Sequence, residues 1–185
     1  MSVNEKVLLA GFGGQGILAA GKILAESGVE AGLNASWMPS YGPEMRGGTC
    51  NCQVVVSDGK ITSPIFTRPG FAIIMNQASL ARFAAKLNRA KPVIINSGLV
   101  SLDDLDSESR KNPDQARVVE IDATGIAQRL GSVKCANMVI LGAYVKHSGS
   151  MKLEMLKNSI AHIFAGKGEA VQLNNKALEE GYALA

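Results

Sequence analysis

Residues 11–16 read Gly11-Phe12-Gly13-Gly14-Gln15-Gly16. They follow a short apolar run and open a segment with helical spacing of its apolar residues. In that setting the backbone N–H groups near Gly14 to Ile17 can converge on one spot. The helix dipole adds partial positive charge there, which is the chemistry of an anion cradle. Glycine lets a phosphate approach the backbone with no Cβ in the way. The plainer reading is that the glycines only let the helix pack tightly on the strand.

Read loosely, this is the G-x-G-x-x-G of a dinucleotide-binding enzyme, and that reading has a specific test. A nicotinamide site needs an acidic residue roughly 20 positions on to bind the ribose hydroxyls. The corresponding stretch is Leu33-Asn34-Ala35-Ser36-Trp37-Met38, with no Asp, Glu, Arg or Lys. Lys22 has no Ser/Thr neighbour of the G-x-x-x-x-G-K-[ST] type, so a Mg-ATP loop is unsupported too. Acid–base candidates are few. His147 and His162 lie in the C-terminal half, far in sequence from the glycine loop, and read as ordinary surface or lightly buried histidines. No nucleophile-elbow, metalloprotease or paired-carboxylate pattern appears. Cys50 and Cys52 form a C-x-C whose side chains face one side of a strand. No second Cys or His pair accompanies them, so they read as two small strand residues rather than a metal site. The chain reads as a cofactor-fold domain with no chemistry of its own.

A second stretch is unusual: Tyr41-Gly42-Pro43-Glu44-Met45-Arg46-Gly47-Gly48. Arg46, between Glu44 and the pair Gly47-Gly48, could brace its own turn by an internal ion pair. It could equally reach a partner subunit or a phosphate through its planar fork of donors.

The elements that must position these residues follow from periodicity. Strands are expected at 6–10, 33–38, 49–57, 71–76, 92–97 and 116–122, several of them continuous apolar runs suited to burial on both faces. Helices are expected at 17–31, 77–87, 123–130, 137–146, 152–164 and 169–183, with Gly28 and Gly32 marking the end of the first. Residues 39–48 are too rich in Pro and Gly for regular structure. Asp58-Gly59 before 60–66 reads as a hairpin turn, and 103–117 as a polar connection. The order β-α-β, a β-hairpin excursion, then β-α-β-β and helices predicts an α/β, three-layer, Rossmann-like fold on a mostly parallel sheet.

At 185 residues the chain suits a single domain over 1–185. A net charge of +3, with 19 basic residues scattered against 16 acidic ones, is too mild for a nucleic-acid binder. No apolar run reaches the roughly 18 residues of a membrane span, and no signal-peptide pattern opens the chain. Three cysteines do not suggest a disulfide framework. These features point to a cytoplasmic protein with neither membrane nor nucleic-acid partners.

Taken together, G-x-G-G-Q-G (Gly11, Gly13, Gly14, Gln15, Gly16) and Y-G-P-E-x-R-G-G (Tyr41, Gly42, Pro43, Glu44, Arg46, Gly47, Gly48) resemble the gamma subunit, or gamma domain, of 2-oxoacid:ferredoxin oxidoreductases. Asn137, Leu141, Gly142 and Ala143 are similar to that family too, though generic. The resemblance covers essentially the whole chain. It implies a non-catalytic gamma subunit that is inactive alone and packs against alpha, beta and delta subunits. Thiamine diphosphate and iron–sulfur clusters would sit in those partners, and ferredoxin would be reached through the complex. The reaction implied turns a 2-oxoacid, CoA and oxidised ferredoxin into acyl-CoA, CO2 and reduced ferredoxin. A stand-alone gamma of this length without fused cluster-binding cysteines leans to 2-oxoglutarate. The resemblance also makes CoA the ligand to expect at Gly11, Gly13, Gly14, Gln15 and Gly16. Tyr41, Glu44, Arg46, Gly47 and Gly48 become partner or phosphate contacts. An independent nucleotide- or CoA-binding regulatory module is the alternative, and co-purification with partner subunits separates the two.

Overall fold

The computed structural model describes residues 3–42, 48–87, 92–102 and 117–185. Its centre is a six-stranded sheet formed by β1 (Asn4–Phe12), β2 (Asn34–Tyr41), β3 (Thr49–Ser57), β4 (Phe71–Ile74), β5 (Val93–Asn96) and β6 (Val118–Ile121). The strand order is β2-β3-β1-β4-β5-β6. β1, β4, β5 and β6 pair in parallel, and β3 runs antiparallel to both β1 and β2. Five strands therefore share one direction and β3 alone opposes them.

Around the sheet the described residues form α1 (Ile17–Glu30), α2 (Gln77–Phe83) with a 3-10 turn at Ala84–Lys86, α3 (Ala123–Arg129), α4 (Ala136–Ser148), α5 (Leu153–Ile163) and α6 (Gly168–Leu184). Alternation along the strands builds two cores. Val7, Leu9, Cys52, Val54, Ile73 and Ile94 face α1 and α3 to α6. Leu8, Ala10, Ala72, Ile74, Val93 and Ile95 face Leu80 and Phe83 of α2. The apolar runs are continuous because the inner strands are covered on both sides. α4 is buried at every position from Ala136 to Val145, as a helix enclosed on all sides must be. Gly142 and Gly181 let α4 and α6 meet backbone to backbone: a Cβ on Gly142 would lie 2.7 Å from the Tyr182 nitrogen.

The fold class is the expected one, with four local corrections. β2 runs on through Pro39 and Ser40 to Tyr41. Proline is tolerated because β2 is an edge strand, where one missing N–H leaves no buried partner unsatisfied. The hairpin is the β2–β3 pair, and no strand forms over 60–66 after Asp58-Gly59. Both edges of β3 are already taken, by β1 and β2, so the chain after Gly59 has no free edge to join. Gly28 lies inside α1 against Val56, and the helix ends instead at Ala31 before Gly32. Helix α2 tightens into a 3-10 turn after Phe83. The polar connection expected at 103–117 falls outside the described residues up to 116.

Candidate functional site

β1 delivers the glycine loop at its C-terminal end, and α1 leaves from it. Gly16 is the N-cap of α1, with φ 73° and no side-chain cap, so among the described residues the first N–H groups of the helix keep no partner. Gly14 has φ 100° and open space where a Cβ would stand. The Gly13 N–H is spent on the Gly48 carbonyl at 3.0 Å, and the Gln15 N–H on the Phe12 carbonyl at 3.1 Å. Gly11 is buried within β1.

The Gln15 amide is spent on hydrogen bonds within the protein. Its Oε1 accepts from the Phe12 N–H at 2.7 Å and from Asn76 Nδ2 at 3.0 Å, and its Nε2 donates to the Met75 carbonyl at 3.2 Å. Asn76 in turn caps α2 by accepting from the Ser79 N–H at 2.9 Å. Asn137, at the start of α4, donates to the Gly16 carbonyl at 3.0 Å. These amides lock the ends of β1 and β4 and the starts of α1, α2 and α4 into one block.

On the other side of the loop lies a groove of about 660 Å³, bounded by the loop, the first turn of α1 and the ends of β2 and β3. Phe12, Trp37, Pro39, Tyr41 and Cys50 supply its apolar walls. Trp37, Pro39 and Tyr41 alternate along β2 and so share one face. Tyr41 is 59% exposed at the rim. Among the described residues no charged side chain lines the groove.

Cys50 and Cys52 do share the α1-facing side of β3, as their spacing requires. Cys52 donates to the Ile17 carbonyl at 3.6 Å. Burial pushes its thiol pKa up to about 12, and burial raises that of Cys50 too. Both are thiols near neutrality. Among the described residues no group of three or more His, Cys, Asp or Glu side chains is placed to hold a metal ion.

The histidines stand away from the loop. His147 lies at the C-terminal end of α4, opposite Asn137, with its pKa lowered by burial and by Arg117 and Lys146. His162 is exposed on α5, 3.8 Å from Glu26. No helix among the described residues is long and apolar enough to cross a membrane.

Of the residues singled out in the sequence, the structure brings together Gly13, Gly14, Gly16 and Tyr41 around the groove. It draws Gly48 in as the acceptor for Gly13 and assigns Gln15 to bracing. Glu44, Arg46 and Gly47 lie outside the described residues. Trp37 and Pro39 were not singled out, although their period-two spacing with Tyr41 is the signal that finds them. Asn76 carries no such signal, since its role depends on β4 ending beside β1.

Over residues 6–184 the sequence matches the family described as pyruvate ferredoxin/flavodoxin oxidoreductase. It is 34% identical over 177 residues to the ketoisovalerate oxidoreductase subunit VorA of Methanothermobacter marburgensis, which takes in 95% of this chain and 35% of that protein. The chain thus spans little more than a third of that relative's length. It is 30% identical over 162 residues to the 2-oxoglutarate synthase subunit KorC of Methanothermobacter thermautotrophicus, covering 86% of this chain and 85% of that one. The gamma subunit of keto/oxoacid ferredoxin oxidoreductase from Geobacter sulfurreducens superposes with a TM-score of 0.77 at 27% identity, over 97% of this chain and 96% of that one. The 2-oxoglutarate:ferredoxin oxidoreductase from Magnetococcus marinus, solved with 2-oxoglutarate, coenzyme A and succinyl-CoA bound, shares the fold. Its TM-score is 0.82 at 23% identity, covering 100% of this chain and 31% of that one.

Proposed function

This chain belongs to the pyruvate ferredoxin/flavodoxin oxidoreductase family, and from that premise we propose that it is the non-catalytic gamma subunit of a 2-oxoacid:ferredoxin oxidoreductase. The whole of residues 1–185 forms one gamma-type domain. Alpha, beta and delta subunits carry the thiamine diphosphate and the iron–sulfur clusters, and pass electrons to ferredoxin in the cytoplasm. The 2-oxoacid is 2-oxoglutarate, a reading supported by the similarity to KorC.

The part of this chain in the reaction is to hold coenzyme A. The observation that carries this is the groove beside the glycine loop. Its backbone N–H groups at the start of α1 suit a diphosphate, and its apolar walls suit the uncharged remainder of such a ligand. No acid is needed for ribose, which agrees with the failure of the nicotinamide test. Gly13 is committed to Gly48 and Gln15 to Met75, so Gly14, Gly16 and the first turn of α1 are the donors left for phosphate. When CoA is bound it supplies the thiol that receives the acyl group, and this chain only binds and orients it.

The test is to isolate the chain from its native cells without breaking complexes, then assay the complex and the pure chain with 2-oxoglutarate, CoA and a dye acceptor. The complex is expected to contain thiamine diphosphate and iron–sulfur subunits and to turn over with CoA, the pure chain to be inactive. Emergence of the chain alone would support an independent binding module instead. Turnover by the pure chain would overturn the subunit reading, and preference for another 2-oxoacid would overturn the substrate.

A further inference from the structure

On the reverse face of the β2–β3 ribbon lies a second, smaller pocket of about 330 Å³, lined among others by Ser40, Asn51, Gln53, Arg82 and Lys86. Its chemistry is the opposite of the groove's. Arg82 and Lys86 are four residues apart, so they project from the same side of the α2 segment. Both sit on the Phe83 ring, at 5.5 Å for the Arg82 guanidinium carbon and 6.0 Å for Lys86 Nζ. Two like charges are thus held against one ring, and among the described residues no acidic side chain lines the pocket. Asn51 is only 8% exposed and lines the pocket from β3.

The two hollows meet at Thr49. It pairs in register with Phe12 at the end of β1 and borders the groove. Its Oγ1 accepts from Arg82 Nη1 at 2.8 Å. Arg82 therefore stands at the end of β3, beside the strand end that leads into the glycine loop.

Among the described residues the groove offers N–H dipoles and no cation, which suits the singly charged phosphates of a diphosphate diester. The pocket offers two cations and an amide donor, which suits a phosphate monoester carrying close to two charges near neutrality. Coenzyme A has both groups. We propose that Arg82, Lys86 and Asn51 form a second anion subsite, which takes the 3′-phosphate of the coenzyme A whose diphosphate lies at the glycine loop. The inference rests on the CoA reading given above and extends it to the reverse face of the ribbon.

The experiment measures binding of CoA and of 3′-dephospho-CoA to the assembled complex by titration calorimetry. It uses the natural chain, Arg82→Gln, Lys86→Gln, Arg82→Lys and the groove variant Tyr41→Ala. Arg82→Gln and Lys86→Gln are expected to weaken CoA about tenfold or more, the range for a charged hydrogen bond, and to leave dephospho-CoA within about twofold. Arg82→Lys keeps the charge and recovers part of the loss. Tyr41→Ala should weaken both ligands alike. Both cationic side chains are exposed, and if Arg82→Gln fails to assemble then Lys86→Gln decides the matter. Equal weakening of the two ligands, or no effect on either, overturns the subsite. Should Tyr41→Ala change nothing while Arg82→Gln still selects against CoA, the groove reading falls and the phosphate pocket stands.

Discussion

The glycine loop has two sides, and they differ in kind. On one side the helices that follow β1 and β4 leave to opposite faces of the sheet, which in an open α/β sheet marks the crevice where a ligand ordinarily sits. Here Gln15, Asn76 and Asn137 fill that crevice with amide hydrogen bonds. On the other side, between α1 and the β2–β3 ribbon, the loop opens on an apolar groove. The antiparallel β3 makes the difference. It occupies the place next to β1 that a parallel neighbour would take, displaces β2 outward by one strand, and leaves Trp37, Pro39 and Tyr41 to wall a new hollow. One glutamine long enough to reach Met75 fills the usual crevice, and one inserted strand leaves a groove on the other side.

The largest effect should come from alkali, because the groove side carries buried thiols and the crevice side only amides. Unfolded, Cys52 loses its proton near its ordinary value of 9.0, and folded it keeps it up to about 12. Between those values the folded state binds more protons than the unfolded one. The stability it contributes is therefore full below pH 9 and falls as pH rises towards 12. A span of three pH units corresponds to about 4 kcal/mol. Tyr144, buried and hydrogen-bonded to Glu5, has a pKa raised well above 10.0 and adds a loss of the same sign at higher pH. Urea unfolding at pH 8 and pH 11 should show a steeper loss for the natural chain than for Cys52→Ala. Equal slopes would mean that Cys52 is not sealed beneath α1.

Next in size is Gly16→Ala. The residue has φ 73°, and a Cβ there would run into the amide of Asn137. Left-handed strain of about 1–2 kcal/mol and a displaced hydrogen bond of about 1 kcal/mol should sum to roughly 3 kcal/mol in denaturant unfolding. Gly14→Ala meets nothing within 4 Å, so it should cost only the backbone part. If the two variants melt alike, the crowding on the Asn137 side is not real. Because Gly14 has φ 100°, a bulky substitution there disturbs folding as well as any ligand, and it is a poor test of phosphate approach.

Gln15→Ala should cost about 2 kcal/mol, since the Phe12 N–H and the Met75 carbonyl lose their partner together. Ligand binding per folded complex should hardly change. A stable variant that no longer binds CoA would move the ligand into the crevice and reverse the assignment of the two sides.

Much of this is legible in the sequence. The apolar runs 71–76 and 92–97 announced strands covered on both faces, and the glycine loop announced a strand end opening a helix. What stayed hidden depends on partners distant in sequence. Gln15 belongs to a motif that suggests ligand contact, yet its three hydrogen bonds reach residues that only the pairing of β1 with β4 brings near. Pro39 argued against a strand and was admitted because β2 turned out to be an edge. The turn signal at Asp58-Gly59 was local chemistry overruled by topology, since β3 had no edge to spare. Cys50 and Cys52 followed their strand period without surprise.

The smallest effect on stability, and the sharpest on function, should come from Tyr41→Ala. The ring is 59% exposed at the groove's rim, so its removal should shift the melting of the free chain by less than about 0.5 kcal/mol. If the groove holds coenzyme A, the same change removes an aromatic wall from the ligand. An aromatic contact contributes about 0.5–1.5 kcal/mol beyond buried area, equivalent to roughly twofold to tenfold in affinity. The free chain and the assembled complex must both be measured, because Tyr41 could instead face a partner subunit. In that case assembly weakens while CoA affinity per assembled complex stays the same. Loss of CoA affinity with intact assembly places the ring on the ligand. Loss of neither returns the groove to a hollow that α1 and the β2–β3 ribbon simply fail to fill.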